Sequence, residues 1–224
     1  MTTDMLLGGR SFAAFLFDMD GTLLTSIEAA ERVWSQWASG HGLDVAAFLP
    51  TLHGKRAIDT VRQLALPGVD ADAEAEAITL AEIADVDGVR EIAAAGAFLA
   101  NLPADRWAIV TSAPRVLALA RLKAAGLTPP AVFVTADDVA IGKPQPDCYL
   151  LAAKQLGVAA SDCLIFEDAP AGIEAAERAG ASVVVIQATH TAPLSTGHAA
   201  VDNYEGLQAI VGTDGSLTLQ RVGV

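Results

Sequence analysis

The sequence predicts an α/β protein built on a doubly wound parallel sheet, with an all-helical block inserted after the first strand. Three observations carry this expectation. Short continuous runs of Val, Ile, Leu and Phe, rather than alternating apolar and polar residues, suit parallel strands covered on both faces. From about residue 93 onward these runs alternate with segments that open on Pro and close on Gly, the asymmetry expected at helix ends. Between residues 26 and 91 the pattern reads as helices, with no convincing strand. In a sheet of this kind, ligands bind at the carboxyl ends of the strands.

Taken in order, Phe12 to Phe17 is the first strand. Thr25 and Glu28 have capping-box spacing, and Ile27, Ala30, Trp34 and Trp37 then share one helical face. Lys55 to Leu64 and Ala71 to Ala84 also read as helical. Trp107 to Val110, Ala131 to Val134, Cys163 to Phe166 and Ser182 to Ile186 are further strands. Between them, Pro114 opens a helix over Arg115 to Ala125, Pro146 one over Asp147 to Leu156, and Pro170 one over Ala171 to Ala179. Each is followed by a glycine: Gly126, Gly157 and Gly180. After His190 the pattern weakens, and Asp214-Gly215 is a turn into a short edge strand, Leu217 to Val222. The expected division is a core from residues 1–25 and 92–224, with residues 26–91 as the insert.

Composition narrows the function. With 224 residues, 52% hydrophobic and 18% charged, the chain has a core to bury and is not disordered. No apolar run approaches the roughly 18 residues of a membrane span, and Phe12 to Phe17 lacks the length and cleavage pattern of a signal peptide. A net charge of −13 repels nucleic acid and anionic lipid, so neither is an expected partner. An anionic substrate would need local cations or a metal. Cys148 and Cys163 make no disulfide framework, which suits a reducing, cytoplasmic setting.

The segment Asp18-Met19-Asp20-Gly21-Thr22 closes the first strand. Two carboxylates two residues apart at a strand end can face one cleft. One can attack phosphorus; the other can protonate the leaving oxygen and later deprotonate water. The plainer alternative is an Asx-type turn after a strand.

This segment resembles the first motif of the haloacid dehalogenase superfamily of phosphohydrolases. Three further segments resemble that family's other motifs, in the same order. They are Thr111-Ser112, Gly142-Lys143-Pro144, and Phe166-Glu167-Asp168-Ala169-Pro170-Ala171-Gly172. The resemblance implies a Rossmann-like core with an inserted helical cap. It implies Asp18 as nucleophile, Asp20 as general acid and base, and Thr111, Ser112 and Lys143 on the phosphate. It also implies Mg²⁺ held by the Asp18 side chain, the Asp20 backbone carbonyl and Asp168, with Glu167 behind them. Each residue also has a plainer use: Thr111 as a cap before Pro114, Lys143 as a solvated lysine, Glu167 and Asp168 as acids at a helix N-terminus. Relatives acting as dehalogenases or phosphonoacetaldehyde hydrolases lack the second aspartate, so Asp20 favours phosphoester chemistry.

The insertion point resembles the helical cap of the β-phosphoglucomutase-like branch. The candidate specificity loop is His53-Gly54-Lys55-Arg56, whose basic residues would contact the part of the substrate remote from the phosphoryl group. Its His-Gly-x-Arg pattern, with the motifs above, is similar to glycerol-phosphate and deoxyglucose-phosphate phosphatases. β-Phosphoglucomutases carry a histidine where this chain has Ala30, and a cap arginine three residues after the glycine, where Arg56 stands two after Gly54. The expected activity is therefore a Mg²⁺-dependent phosphatase of a small phosphorylated metabolite, a sugar or polyol phosphate, in a monomer or weak dimer. A hexose-phosphate mutase and a non-catalytic binding module are the alternatives.

Overall fold

The structure is a computed structural model and describes residues 3–223. Along the chain come β1 (Thr3–Met5), β2 (Ser11–Phe12), β3 (Ala14–Phe17), β4 (Leu24–Thr25), α1 (Ile27–Gly40), α2 (Val45–Phe48), α3 (Ala57–Leu64), α4 (Ala71–Ala84) and β5 (Arg90–Glu91). They are followed by α5 (Ala95–Ala100), β6 (Trp107–Val110), α6 (Arg115–Ala124), β7 (Val132–Val134), α7 (Asp147–Gln155), β8 (Cys163–Glu167), α8 (Pro170–Arg178), β9 (Ser182–Ile186), β10 (Ala199–Val201), β11 (Leu207–Val211) and β12 (Leu217–Val222).

Six parallel strands form the main sheet in the order β10-β9-β8-β3-β6-β7. From β3 the chain runs outward one way through β6 and β7, and the other way through β8, β9 and β10. The order therefore reverses between β3 and β8, and that reversal leaves a crevice at the strand ends. The register makes the two ends flush. Phe17 pairs with Phe166, and the Asp18 amide donates to the Phe166 carbonyl at 3.0 Å. Every residue of β3, β6 and β8 is buried, which is why these segments read as unbroken apolar runs. On one face, Phe15, Phe17, Phe98, Phe166 and Tyr204 pack ring to ring, with Phe17 stacked on Phe166 at 4.5 Å.

The helices α1 to α4 enclose a separate apolar cluster around Val33, Trp34, Phe48, Val61 and Ile78. This helical unit joins the sheet through two chain passages that lie side by side as the antiparallel pair β4–β5.

Several expectations need correction. The first predicted strand is two: Ser11–Phe12 pairs with β12, and Ala14–Phe17 enters the main sheet. The turn and strand after Asp214 are present, but as part of a four-stranded antiparallel sheet with β1, β2 and β11. β5 is a strand where none was expected; two exposed residues carry no periodic signal. The Thr25–Glu28 capping box does not form. Thr25 is paired with Arg90, Ser26 takes the N-cap position, and its hydroxyl donates to Asp20 instead of capping the helix.

The ring cluster anchors the crevice floor, so Phe17→Ala should cost about 3–5 kcal/mol of unfolding free energy. Urea unfolding with the parent's m value checks this; an unchanged midpoint would contradict it.

Candidate active site

All the motif segments but that of Lys143 sit at or just past the carboxyl end of a main-sheet strand. Asp18 follows β3, Thr111 follows β6, and Glu167 ends β8 with Asp168 next. Lys143 comes from the loop between β7 and α7. Gly21 is required at the first turn: its φ is +91°, and a Cβ there would overlap the Asp168 carboxylate. Gly172 is required for the same reason, since a Cβ would overlap the Glu167 carboxylate.

Lys143 is buried, and its ammonium donates to Asp18 Oδ1 at 2.6 Å, to Glu167 Oε1 at 2.7 Å and to the Val110 carbonyl at 3.2 Å. Tyr149 donates its hydroxyl to the same Glu167 oxygen, while Glu167 Oε2 accepts from the amides of Asp168 and Ala169. Both oxygens of Glu167 are thereby engaged, and they tie the lysine to the turn that follows β8. Asp18 Oδ2 accepts no hydrogen bond among the described residues, and Asp18 lines a cavity between the helical unit and the sheet. Thr22 donates to Asp168 Oδ1 at 3.2 Å.

Oxygen atoms of Asp18, Glu167 and Asp168 lie within 4.8 Å of one another. Three buried carboxylates share one ammonium. Burial raises the Asp18 carboxyl well above the ordinary range, against the downward pull of Lys143. Burial, with Glu167 and Asp18 adding to it, does the same to Asp168. Burial works against the Lys143 charge as well, but Asp18 and Glu167 outweigh it and its pKa lies well above the usual lysine value. The surplus of negative oxygen is what a hard divalent cation would neutralise, so this donor set fits one.

Thr111 Oγ1 accepts from the Ala113 amide, a local cap, and the residue lines the cavity. Ser112 donates to the Gly54 carbonyl at 2.9 Å, tying sheet to helical unit. His53 and Lys55 line the cavity, but Arg56 does not. Its guanidinium is taken by Asp59 and by the carbonyls of Val139 and Ala140, and Gly142 leaves room for it. These contacts draw Arg56 away from the cavity and tie the helical unit to the loop that carries Lys143.

Asp20 Oδ1 accepts from Ser26 Oγ at 2.6 Å and from Arg121 Nη1 at 3.0 Å. Arg121 Nη2 donates to Glu82 Oε1 at 3.0 Å. Sequence reading missed Arg121 and Glu82, yet a signal exists. Arg121 falls on the buried stripe of α6 with Leu117, Ala118 and Leu122, and Glu82 on that of α4 with Ile78. A charge on an apolar stripe marks a paired, buried group.

The raised carboxyl pKa values fix a sign. Asp18 and Asp168 hold protons more tightly folded than unfolded, so the metal-free fold loses stability as pH climbs above the ordinary value of 3.8. A divalent cation competes with those protons. Millimolar Mg²⁺ should therefore raise Tm more at pH 7.5 than at pH 5 in scanning calorimetry. Equal gains at both pH values, or none, would contradict the site.

The family model described as haloacid dehalogenase-like hydrolase matches residues 12–180. Hexitol phosphatase A of Escherichia coli (strain K12) is 44% identical over 183 residues, covering 80% of this chain and 85% of the relative. Glycerol-1-phosphate phosphohydrolase 2 of Saccharomyces cerevisiae is 34% identical, covering 79% and 75%. Among solved structures, a hydrolase from Pseudomonas syringae superposes with a TM-score of 0.70 at 28% identity, covering 79% of this chain and 84% of the other. With its motif residues gathered at the reversal point of the sheet, this chain belongs to the haloacid dehalogenase-like hydrolases.

Proposed function

We propose that the chain is a Mg²⁺-dependent phosphatase that hydrolyses small sugar or polyol phosphate monoesters, with the helical unit, residues 26–91, as its cap. The observation that carries this reading is the Asp18–Asp20 pair on one cavity, each with Oδ1 held by a cation and Oδ2 free of donors among the described residues. Asp18 Oδ2 attacks phosphorus in line, and the bond to the leaving oxygen breaks as Asp20 gives that oxygen a proton. Asp20 then takes a proton from water, whose oxygen attacks the aspartyl-phosphate and releases Asp18 and inorganic phosphate. Lys143 holds Asp18 in place and offsets its repulsion from the phosphate dianion. The Thr111 hydroxyl and the Ser112 amide donate to the phosphoryl oxygens, since the Thr111 amide is taken by the Val134 carbonyl and Ser112 Oγ by that of Gly54. Asp18 and Asp168, with the Asp20 backbone carbonyl, would hold Mg²⁺, which supplies positive charge to the phosphoryl oxygens when bound.

The far wall of the cavity supports a hydroxyl-rich substrate. Glu31, Thr60, Thr79 and Lys55 offer donors and acceptors there, and Trp34 offers an apolar face. The relatives named for hexitol and glycerol 1-phosphate support the same class. Ala30 lines this cavity and has no group to hold or move a proton toward a second sugar hydroxyl, which favours water as the acceptor over the mutase alternative.

A phosphate-release screen over polyol, hexose, pentose and nucleotide monophosphates tests the reading. Polyol and hexose phosphates should lead, chelation should abolish turnover, and Mg²⁺ should restore it. Asp18→Asn should lower kcat by more than about 10³-fold, the scale of removing a nucleophile. Preference for nucleotides, or turnover surviving chelation, would contradict it.

A further inference from the structure

We propose that Arg121 is a positioning residue that orients Asp20 for proton transfer and is itself held by Glu82 of the helical unit, so the proton donor is set only when the two units are closed together. The inference rests on Asp20 acting as the acid and base of the reaction above.

Both donors to Asp20, Ser26 Oγ and Arg121 Nη1, sit on Oδ1, and Oδ2 accepts none among the described residues. Arginine has five N–H donors and no acceptor, so a proton on this carboxyl cannot sit between Oδ1 and Arg121. It is directed to Oδ2, the oxygen left free for a leaving group. A guanidinium also fixes the plane of the carboxyl better than a lone hydroxyl does.

Arg121 is not placed there for packing. Its side chain is 8% exposed, on the stripe of α6 that otherwise buries Leu and Ala. Burying an arginine between two carboxylates adds little stability compared with an apolar side chain of the same size, and such groups are best known for fixing register. The register fixed here is between units. α6 belongs to the sheet's flank, while Glu82 lies on α4 of the helical unit and is itself buried at 7% side-chain exposure. When α4 moves away, Arg121 loses one of its two carboxylates and the clamp on Asp20 loosens. Ser26, at the start of α1 beside the β4–β5 passage, holds the same oxygen from the helical unit's own entry. Asp20 is thus gripped both through α6 and from the start of the helical unit.

The test uses leaving groups. The constant kcat/KM reports steps through the first irreversible one, so an ester with a good leaving group is insensitive to the acid. Three substrates are compared: a hexitol phosphate, propyl phosphate and p-nitrophenyl phosphate. Arg121→Met should lower kcat/KM for both alkyl esters by about 10–100-fold, part of the range of general acid catalysis, and for the aryl ester by less than about threefold. Retained aryl activity also shows that the variant folds. Arg121→Lys keeps the buried charge but cannot fork to both carboxylates, and should show the same selective loss, smaller. Glu82→Gln should lower the alkyl esters selectively, by at least about threefold.

Equal losses on all three esters in both Arg121 variants would make Arg121 structural and overturn the proposal. Loss confined to the hexitol phosphate, sparing propyl phosphate, would make it a substrate contact and overturn it as well. A Glu82→Gln variant indistinguishable from the parent would overturn the link to the helical unit. Asp20→Asn separates the two levels. If it spares the alkyl esters, the reading of Asp20 fails; if it hits them selectively while Arg121→Met does not, only this inference fails.

Discussion

One ammonium holds the site together. Lys143 arrives from the loop after β7 and bonds at once to the end of β3, the end of β6 and the end of β8, through Asp18, the Val110 carbonyl and Glu167. A buried lysine is tolerable only with its charge paired and its donors engaged, and here three acceptors engage it. Its three oxygens therefore constrain three strand ends to within one ammonium's reach. The arrangement also leaves an imbalance, because Asp168 adds a third carboxylate without adding a cation. The fold holds at this point a surplus of negative oxygen, which fits a divalent cation.

The seam between the helical unit and the sheet is built differently from either interior. Each interior is an apolar cluster; the seam adds polar ties to the few apolar contacts that Ala29 and Ile83 of the helical unit make with the sheet-side cluster. Ser112 donates to Gly54, Arg56 donates to the carbonyls of Val139 and Ala140, and Arg121 donates to Glu82. Polar contacts exchange for water at little net free energy, whereas apolar clusters do not.

Much of this was legible in the sequence because it follows from local chemistry. Unbroken apolar runs gave Trp107–Val110 and Ser182–Ile186 as they stand, and Ala71–Ala84 was readable from its helical pattern. Asp18 is legible from its place at a strand end two residues before Asp20, whereas Lys143 and Asp168 are legible through the resemblance of their segments to the family's motifs. What escaped depends on long-range pairing. β1 and β2 are defined by their partner β12, more than two hundred residues away, and carry no periodicity of their own. The contacts of Ser26 with Asp20 and of Arg56 with the carbonyls of Val139 and Ala140 leave no local signature in the sequence. Arg121 and Glu82 were visible only as charges in the wrong place on two helices that meet in space.

The central claim is that Asp18, held by Lys143, takes the phosphoryl group. The direct measurement is acid quench of the enzyme during turnover of a ³²P-labelled hexitol phosphate, followed by peptide mapping of the label. The account predicts an acid-stable, hydroxylamine-labile acyl phosphate on the peptide containing Asp18. Label on any other residue, or direct ¹⁸O transfer from water to phosphate with inversion at phosphorus and no labelled protein, would contradict it.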